Sequence, residues 1–219
     1  MATRYAFEQY QRIFDKAVAR YEAQPFFAQL IQQHGRPAFP AAPRDVAIFG
    51  IRHVGKTTEF RENTADDTIS LVRLDTDRLS QVYEYVGTTE SGLFTNVVNP
   101  EGDFKMLPGF YFFRRGVHHG QDPCLVQACA VLGERAKKGQ DYDESDSRTW
   151  QITDGSLHIH AGILNVNDVG SWSAGCQVIA GGWQGQAWTE FFQSCRLATN
   201  LPLPYVLVNE ADVPGFLAQ

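Results

Sequence analysis

The sequence predicts an α+β fold that is mostly β, with a helical arm preceding a β-rich body. Three observations predict it. Apolar residues recur at three- and four-residue spacing near the N-terminus and once more near the C-terminus. Between these stretches, short runs of strand-forming residues alternate with turn clusters. Pro37, Pro40 and Pro43 separate the two regimes, so residues 1–43 read as an N-terminal helical arm with a Pro-rich linker and residues 44–219 as the β-rich domain.

Taken in order, Tyr10, Ile13, Phe14, Ala17, Val18 and Tyr21 form one apolar helical face in a segment running from about Thr3. Pro25 suits a first helical turn and restarts a shorter helix through Phe27, Leu30 and Ile31, with Gly35 just past its end. Strands are expected over 45–49, 68–74, 82–86, 109–114, 124–132, 150–153, 157–160 and 176–179. Turn clusters at 88–92 and 99–102 punctuate them. A late helix over 187–197 sets Trp188, Phe191, Phe192 and Cys195 on one face, and a last strand over 205–208 follows Pro204.

Composition narrows the function classes. Hydrophobic residues make up 43% and charged residues 20% of the 219-residue chain, the balance of a globular protein with room for one sizeable core. A net charge of −6 argues against a nucleic-acid partner, which calls for a basic stripe. No apolar run approaches the roughly 18 residues a membrane-spanning helix requires, so no membrane insertion is expected. The polar N-terminus lacks the apolar core of a secretory signal, which predicts synthesis in the cytoplasm. Cys124, Cys129, Cys176 and Cys195 are accordingly expected as thiols, and Cys176 alone sits in a turn-like sequence.

Gly50-Ile51-Arg52-His53-Val54-Gly55-Lys56-Thr57 fits the phosphate-binding loop pattern, with a candidate strand before it. Such a loop needs a helix after the threonine, and 58–68 offers only Phe60 and Ala65 as apolar residues. A chance pattern on a surface loop is the preferred reading, and nucleotide binding at 50–57 is the lesser alternative.

The chemistry-bearing segment is Leu157-His158-Ile159-His160-Ala161-Gly162, followed after a polar loop by Ser171-Trp172-Ser173-Ala174-Gly175-Cys176-Gln177-Val178-Ile179. Alternation in the first part puts His158 and His160 on one side of a strand. Gly175 permits a tight turn that exposes the Cys176 sulfur and frees nearby amides. A thiol attacks as thiolate, so it needs a base or cation at hand, and a histidine on an adjacent strand supplies one. Amides at Gly175 and Cys176 are candidate oxyanion donors. Competing readings are a core Cys176 with a core His160, and a zinc site from His158, His160 and Cys176, for which the sequence suggests no fourth ligand. His158 reads as a hydrogen-bonded neighbour, and His118 and His119 as a loop tip. Trp172 and Trp183 fit either a site wall or core packing.

These residues resemble the catalytic motif of the L,D-transpeptidase family, in which a histidine-bearing segment precedes Ser-x-Gly-Cys by a short loop. His160 matches the family's histidine, and Ser173, Gly175 and Cys176 its serine, glycine and nucleophile. Looser likeness extends over residues 68–180, through 82–92 and Leu107-Pro108-Gly109-Phe110-Tyr111-Phe112. The sequence departs from the pattern at Ala174, where the family often has histidine, and at Val178, where it often has arginine. The resemblance implies a β-rich catalytic domain and acyl transfer on peptidoglycan stem peptides, as L,D-transpeptidase or L,D-carboxypeptidase, without metal or organic cofactor. It implies Cys176 as nucleophile, His160 as base and then acid, and Ser173 as orienting group. Ala174, Gly175, Gln177, His158 and Trp172 are then the candidate substrate and oxyanion contacts. Peptidoglycan lies outside the cytoplasm, so the expected setting is a phage-encoded protein or an effector delivered by a non-Sec route to periplasm or wall. The N-terminal helices are the candidate contact for a delivery or particle partner. The rival expectation is a non-enzymatic phage, structural or interaction protein that retains the scaffold.

Overall fold

The computed structural model describes residues 4–53, 64–92, 103–135 and 148–218, and the fold over them is α+β and mostly β. Two helices come first, α1 (Phe7–Tyr21) and α2 (Pro25–His34). The strands are β1 (Val46–Arg52), β2 (Asp67–Leu74), β3 (Ser80–Thr88), β4 (Phe104–Met106), β5 (Gly109–His118), β6 (Asp122–Gln127), β7 (Val131–Arg135), β8 (Arg148–Ile152), β9 (His158–Gly162), β10 (Gln177–Ala180) and β11 (Leu203–Asn209). Between the last two lies α3 (Gln186–Leu197), and α4 (Val213–Leu217) ends the described chain.

Eight strands close a barrel in the order β1-β11-β5-β6-β9-β10-β3-β2, and β4-β7-β8 form a small separate sheet. Two of the barrel's contacts are parallel, β1 with β11 and β9 with β10. Directly paired residues face the same way. Ile48, Tyr205 and Tyr111 thus line up across β1, β11 and β5, while Leu125, Ile159 and Gln177 line up across β6, β9 and β10.

All seven residues of β1 are buried because both of its faces are covered. One face looks into the barrel and the other meets α1, whose apolar stripe of Tyr10, Ile13, Phe14, Ala17, Val18 and Tyr21 is fully used. The Tyr10 ring lies 4.8 Å from that of Phe49, and Phe14 lies 6.0 Å from it. Phe27 of α2 packs on Phe110 at 5.0 Å, and Gly109 is glycine because a Cβ there would strike the Phe27 ring at 2.1 Å. The N-terminal helices therefore belong to the same apolar core as the barrel.

Closure is thin between β6 and β9, joined by Leu125↔Ile159 and Val126↔His158, and equally thin between β3 and β10, which pair only through Val178↔Thr88 and Ile179↔Gly87. Helix α3 fills the gap above those pairs. Phe191 meets the Tyr85 ring edge-on at 5.7 Å, and Arg73 donates to Ser194 Oγ at 2.9 Å. The expected strand over 124–132 is in fact two. At Ala128 the chain leaves the barrel, its N–H donating to the Phe112 carbonyl while Cys129 Sγ accepts the Phe112 N–H, and β7 joins the small sheet. Strand β4 and helix α4, three and five residues long, lie below the length at which a periodic pattern can be read.

Truncating Phe49, which is fully buried beneath Tyr10 and Phe14, is expected to cost roughly 3–5 kcal/mol. Urea unfolding of Phe49→Ala measures this. A loss under about 1 kcal/mol would mean the helices do not share the barrel's core.

Candidate active site at Cys176

Strands β9 and β10 run parallel with Gln177 opposite Ile159 and Val178 opposite His160. Continuing the register one step places Cys176 beside His158. Cys176, Val178, His158 and His160 thus share the face turned away from the barrel interior. By strand geometry the Cα atoms of Cys176 and His160 stand about 8 Å apart, a span the two side chains can bridge by leaning together.

The turn that delivers Cys176 is fastened on several sides. Ser173 is buried, and its Oγ donates to the Cys176 carbonyl at 2.7 Å while accepting the Gly175 N–H at 3.1 Å. The Ser173 carbonyl takes the Gly92 N–H at 2.9 Å, and the Ala174 carbonyl takes the Phe104 N–H at 3.1 Å. Gly175 has φ +131°, and a Cβ on it would lie 2.7 Å from the Phe104 carbonyl oxygen, so no other residue fits.

Cys176 is partly exposed, and its thiol donates to the Ser156 carbonyl at 3.9 Å, toward the start of β9 and away from His160. Crowding of the sulfur pushes the thiol up to about 11, against a backbone hydrogen bond from His158 that lowers it. His160 is 2% exposed, and burial pushes its imidazole down to about 3. Thiol and ring are therefore both neutral at pH 7.

The hydrogen bonds fix the tautomers of these neutral rings. His160 Nδ1 lies 2.8 Å from the Ala161 carbonyl, so Nδ1 carries the proton and Nε2 keeps the basic lone pair. His158 Nε2 lies 3.1 Å from the Gly155 carbonyl and must likewise be protonated. Its Nδ1 then accepts from His118 Nδ1–H at 2.7 Å. The His118 ring stacks on His160 with centroids 4.3 Å apart, and Trp183 lies 5.7 Å from both. Burial pushes His118 down to about 4, with the neighbouring His119 and His158 adding to the shift.

The remaining candidates are dispersed around the turn. Gln177 points into the barrel, where its Oε1 accepts from Tyr205 OH at 2.6 Å and its Nε2 donates to the Gly175 carbonyl at 3.3 Å. The Gly175 amide, a candidate oxyanion donor, is engaged by Ser173 Oγ in this resting turn. Trp172 is 37% exposed and covers Gly162, where a Cβ would meet its ring at 2.7 Å. Val178, standing where an arginine is expected, is fully buried with Ala65, Ile163 and Val169. Among the described residues no group of three or more His, Cys, Asp or Glu is disposed to hold a metal ion.

Of the phosphate-loop pattern, Gly50, Ile51 and Arg52 continue β1, and β2 pairs antiparallel with it. Val54 to Thr57 lie outside the described residues.

Sequence reasoning missed the polar network inside the barrel's end. Arg52 is 1% exposed and donates to Thr89 Oγ1, the Thr89 carbonyl and the Met106 carbonyl at 3.0, 2.9 and 3.0 Å, with Glu90 at 3.1 Å. Asp67 accepts from the Thr89 N–H, Thr89 Oγ1 and the His53 N–H at 2.6, 2.7 and 2.7 Å. Arginine in an apolar strand segment was the available signal.

No protein-family model, curated protein or solved structure matches the chain.

The histidine cluster makes stability depend on acid. In the folded state His118, His158 and His160 hold protons less readily than in the unfolded chain, whose histidines titrate near 6.5. Their contribution is complete above about pH 6.5 and is lost as pH falls toward 4. Buried Asp67, raised to about 6, works the opposite way between about 4 and 6. Urea unfolding from pH 7.5 to 4.5 should show stability declining below about 6.5, with a shallower decline in His160→Gln. An unchanged slope in that variant would contradict the neutral buried ring.

Proposed function

We propose that the protein is a cysteine-dependent acyl-transfer enzyme, with Cys176 as nucleophile and His160 as base and then acid. The observation that carries this reading is the hydrogen bond from His160 Nδ1 to the Ala161 carbonyl, one strand away from Cys176. That carbonyl plays the part of the third group in a nucleophile–base–orienter arrangement, fixing the tautomer and leaving Nε2 to take a proton.

The thiol first turns from the Ser156 carbonyl toward His160, a side-chain rotation. Sulfur then attacks the substrate carbonyl carbon as its proton passes to His160 Nε2. The C–N bond of the tetrahedral intermediate breaks, and His160 returns the proton to the departing amine. Water or an amine resolves the thioester by the reverse sequence. Ser173 orients the turn by tying the Gly175 amide to the Cys176 carbonyl. On the resemblance of His160, Ser173, Gly175 and Cys176 to the L,D-transpeptidase motif, the substrate class is the peptidoglycan stem peptide, cleaved before its terminal D-alanine.

A second reading rests on a specific observation. The thiol is raised to about 11 and engaged by Ser156, and Ala174 and Val178 replace the polar residues common in the family. Those features suit a structural or interaction protein on the same scaffold.

Mass spectrometry of the protein incubated with a stem tetrapeptide separates the two. Acyl transfer predicts a thioester adduct on Cys176, absent in Cys176→Ala, and turnover at least about 100-fold slower in His160→Gln. No adduct and no cleavage, or cleavage undiminished in Cys176→Ala, would sink the enzymatic reading.

A further inference from the structure

The hairpin between β5 and β6 carries its tip over the outer face on which His160 stands. His118 pairs with Asp122 across that hairpin, and the Gln121 N–H closes the turn on the His118 carbonyl at 3.1 Å. Neighbours on the same face leave room for the His118 ring. Gly116 has no side chain, and a Cβ there would lie 2.3 Å from Val126 Cγ2. Cys124, its partner on β6, is small. Continuing the β6–β9 register one step sets Cys124 opposite His160, so a ring filling this space lies against the candidate base.

One hydrogen bond does not hold an imidazole in place. The bond from His160 Nδ1 to the Ala161 carbonyl directs a single ring atom, and the outer torsion of a histidine side chain is broad. Turning about that torsion would break the bond and swing Nε2 away. A flat surface against the ring resists such a turn. His118 supplies one, its plane 22° from that of His160 and its centroid 4.3 Å away. Trp183 lies more nearly parallel to His160, at 16°, but stands off at 5.7 Å. His118 is itself anchored, donating from Nδ1 to His158 Nδ1 at 2.7 Å, and His158 Nε2 is held by the Gly155 carbonyl at 3.1 Å.

We propose that His118 is a positioning residue for His160. Its ring, lying flat on the His160 imidazole, keeps Nδ1 on the Ala161 carbonyl and Nε2 free to take a proton. His118 acts through His160 and is not itself a catalytic residue. The inference rests on the reading of His160 as the base for Cys176, and it adds to that site a residue from a separate hairpin.

Two substitutions separate the ring from its hydrogen bond. His118→Asn keeps a donor for His158 and removes the ring, whereas His118→Phe keeps a flat ring and removes the donor. Long-range ¹⁵N–¹H spectra of the free protein read the His160 tautomer without substrate. The unmodified chain and His118→Phe should show His160 protonated at Nδ1 alone, and His118→Asn should show averaged nitrogen shifts. With the stem tetrapeptide, kcat should fall about tenfold in His118→Asn and stay within about threefold in His118→Phe, with KM unchanged in both. A fixed Nδ1–H tautomer surviving in His118→Asn, or His118→Phe impaired as much as His118→Asn, would overturn the proposal. Spectra as expected in a protein that forms no thioester would uphold the positioning of the ring and sink acyl transfer alone.

Discussion

The guanidinium of Arg52 is the point on which this architecture turns. A cation sealed inside a barrel end is tolerable only if nearly every N–H finds an acceptor. From its place on β1, Arg52 meets that demand with partners from two separate segments: the Thr89–Glu90 turn and the Met106 carbonyl of β4. Lys105 shares Glu90 at 3.4 Å. Removing one partner from such a set commonly costs about 3–5 kcal/mol, because a charge is left buried and unpaired. The consequence reaches the candidate site through the backbone. Thr89 is also held by Asp67, and the Gly92 and Phe104 amides on either side of this network clamp the Ser173–Cys176 turn.

The barrel's interior thus supplies rigidity, and its outer face supplies chemistry. Gln177 and Cys176 are neighbours in sequence and point in opposite directions. Gln177 is bonded to Tyr205 inside the barrel, while Cys176 stands among histidines outside it. A one-residue slip of β10 would exchange them, and the inward hydrogen bonds of Gln177 are what make that slip costly.

Local patterns carried much of this in the sequence. The spacing of Tyr10, Ile13, Phe14, Ala17, Val18 and Tyr21 marks a helix face that is buried in full, and Pro25 and Gly35 bracket α2 as their backbone preferences require. The pairing of a histidine strand with a Gly-Cys turn was legible because strand alternation and glycine's positive φ are local properties. What escaped depends on contacts between distant positions. His118 looked like part of a loop tip, yet it ends β5 and reaches His158 and His160 across the sheet. Nothing near Arg52 in sequence announces that Thr89 and Met106 will accept its hydrogen bonds. The apparent strand over 124–132 divides because Ala128 and Cys129 bond to Phe112, a partner that no window around residue 128 contains.

Burial around Cys176 and His160 favours neutral partners, so the proton must move during attack and not before it. The Ala161 carbonyl prepares the ring for that transfer by settling which nitrogen is free. The most direct test is the pH dependence of iodoacetamide alkylation at Cys176 without substrate. A rate that climbs through the alkaline range with a midpoint near 11 is expected from a neutral, crowded thiol. A plateau reached at neutral pH, with a midpoint under about 8, would reveal a preformed thiolate beside a charged imidazole and contradict it.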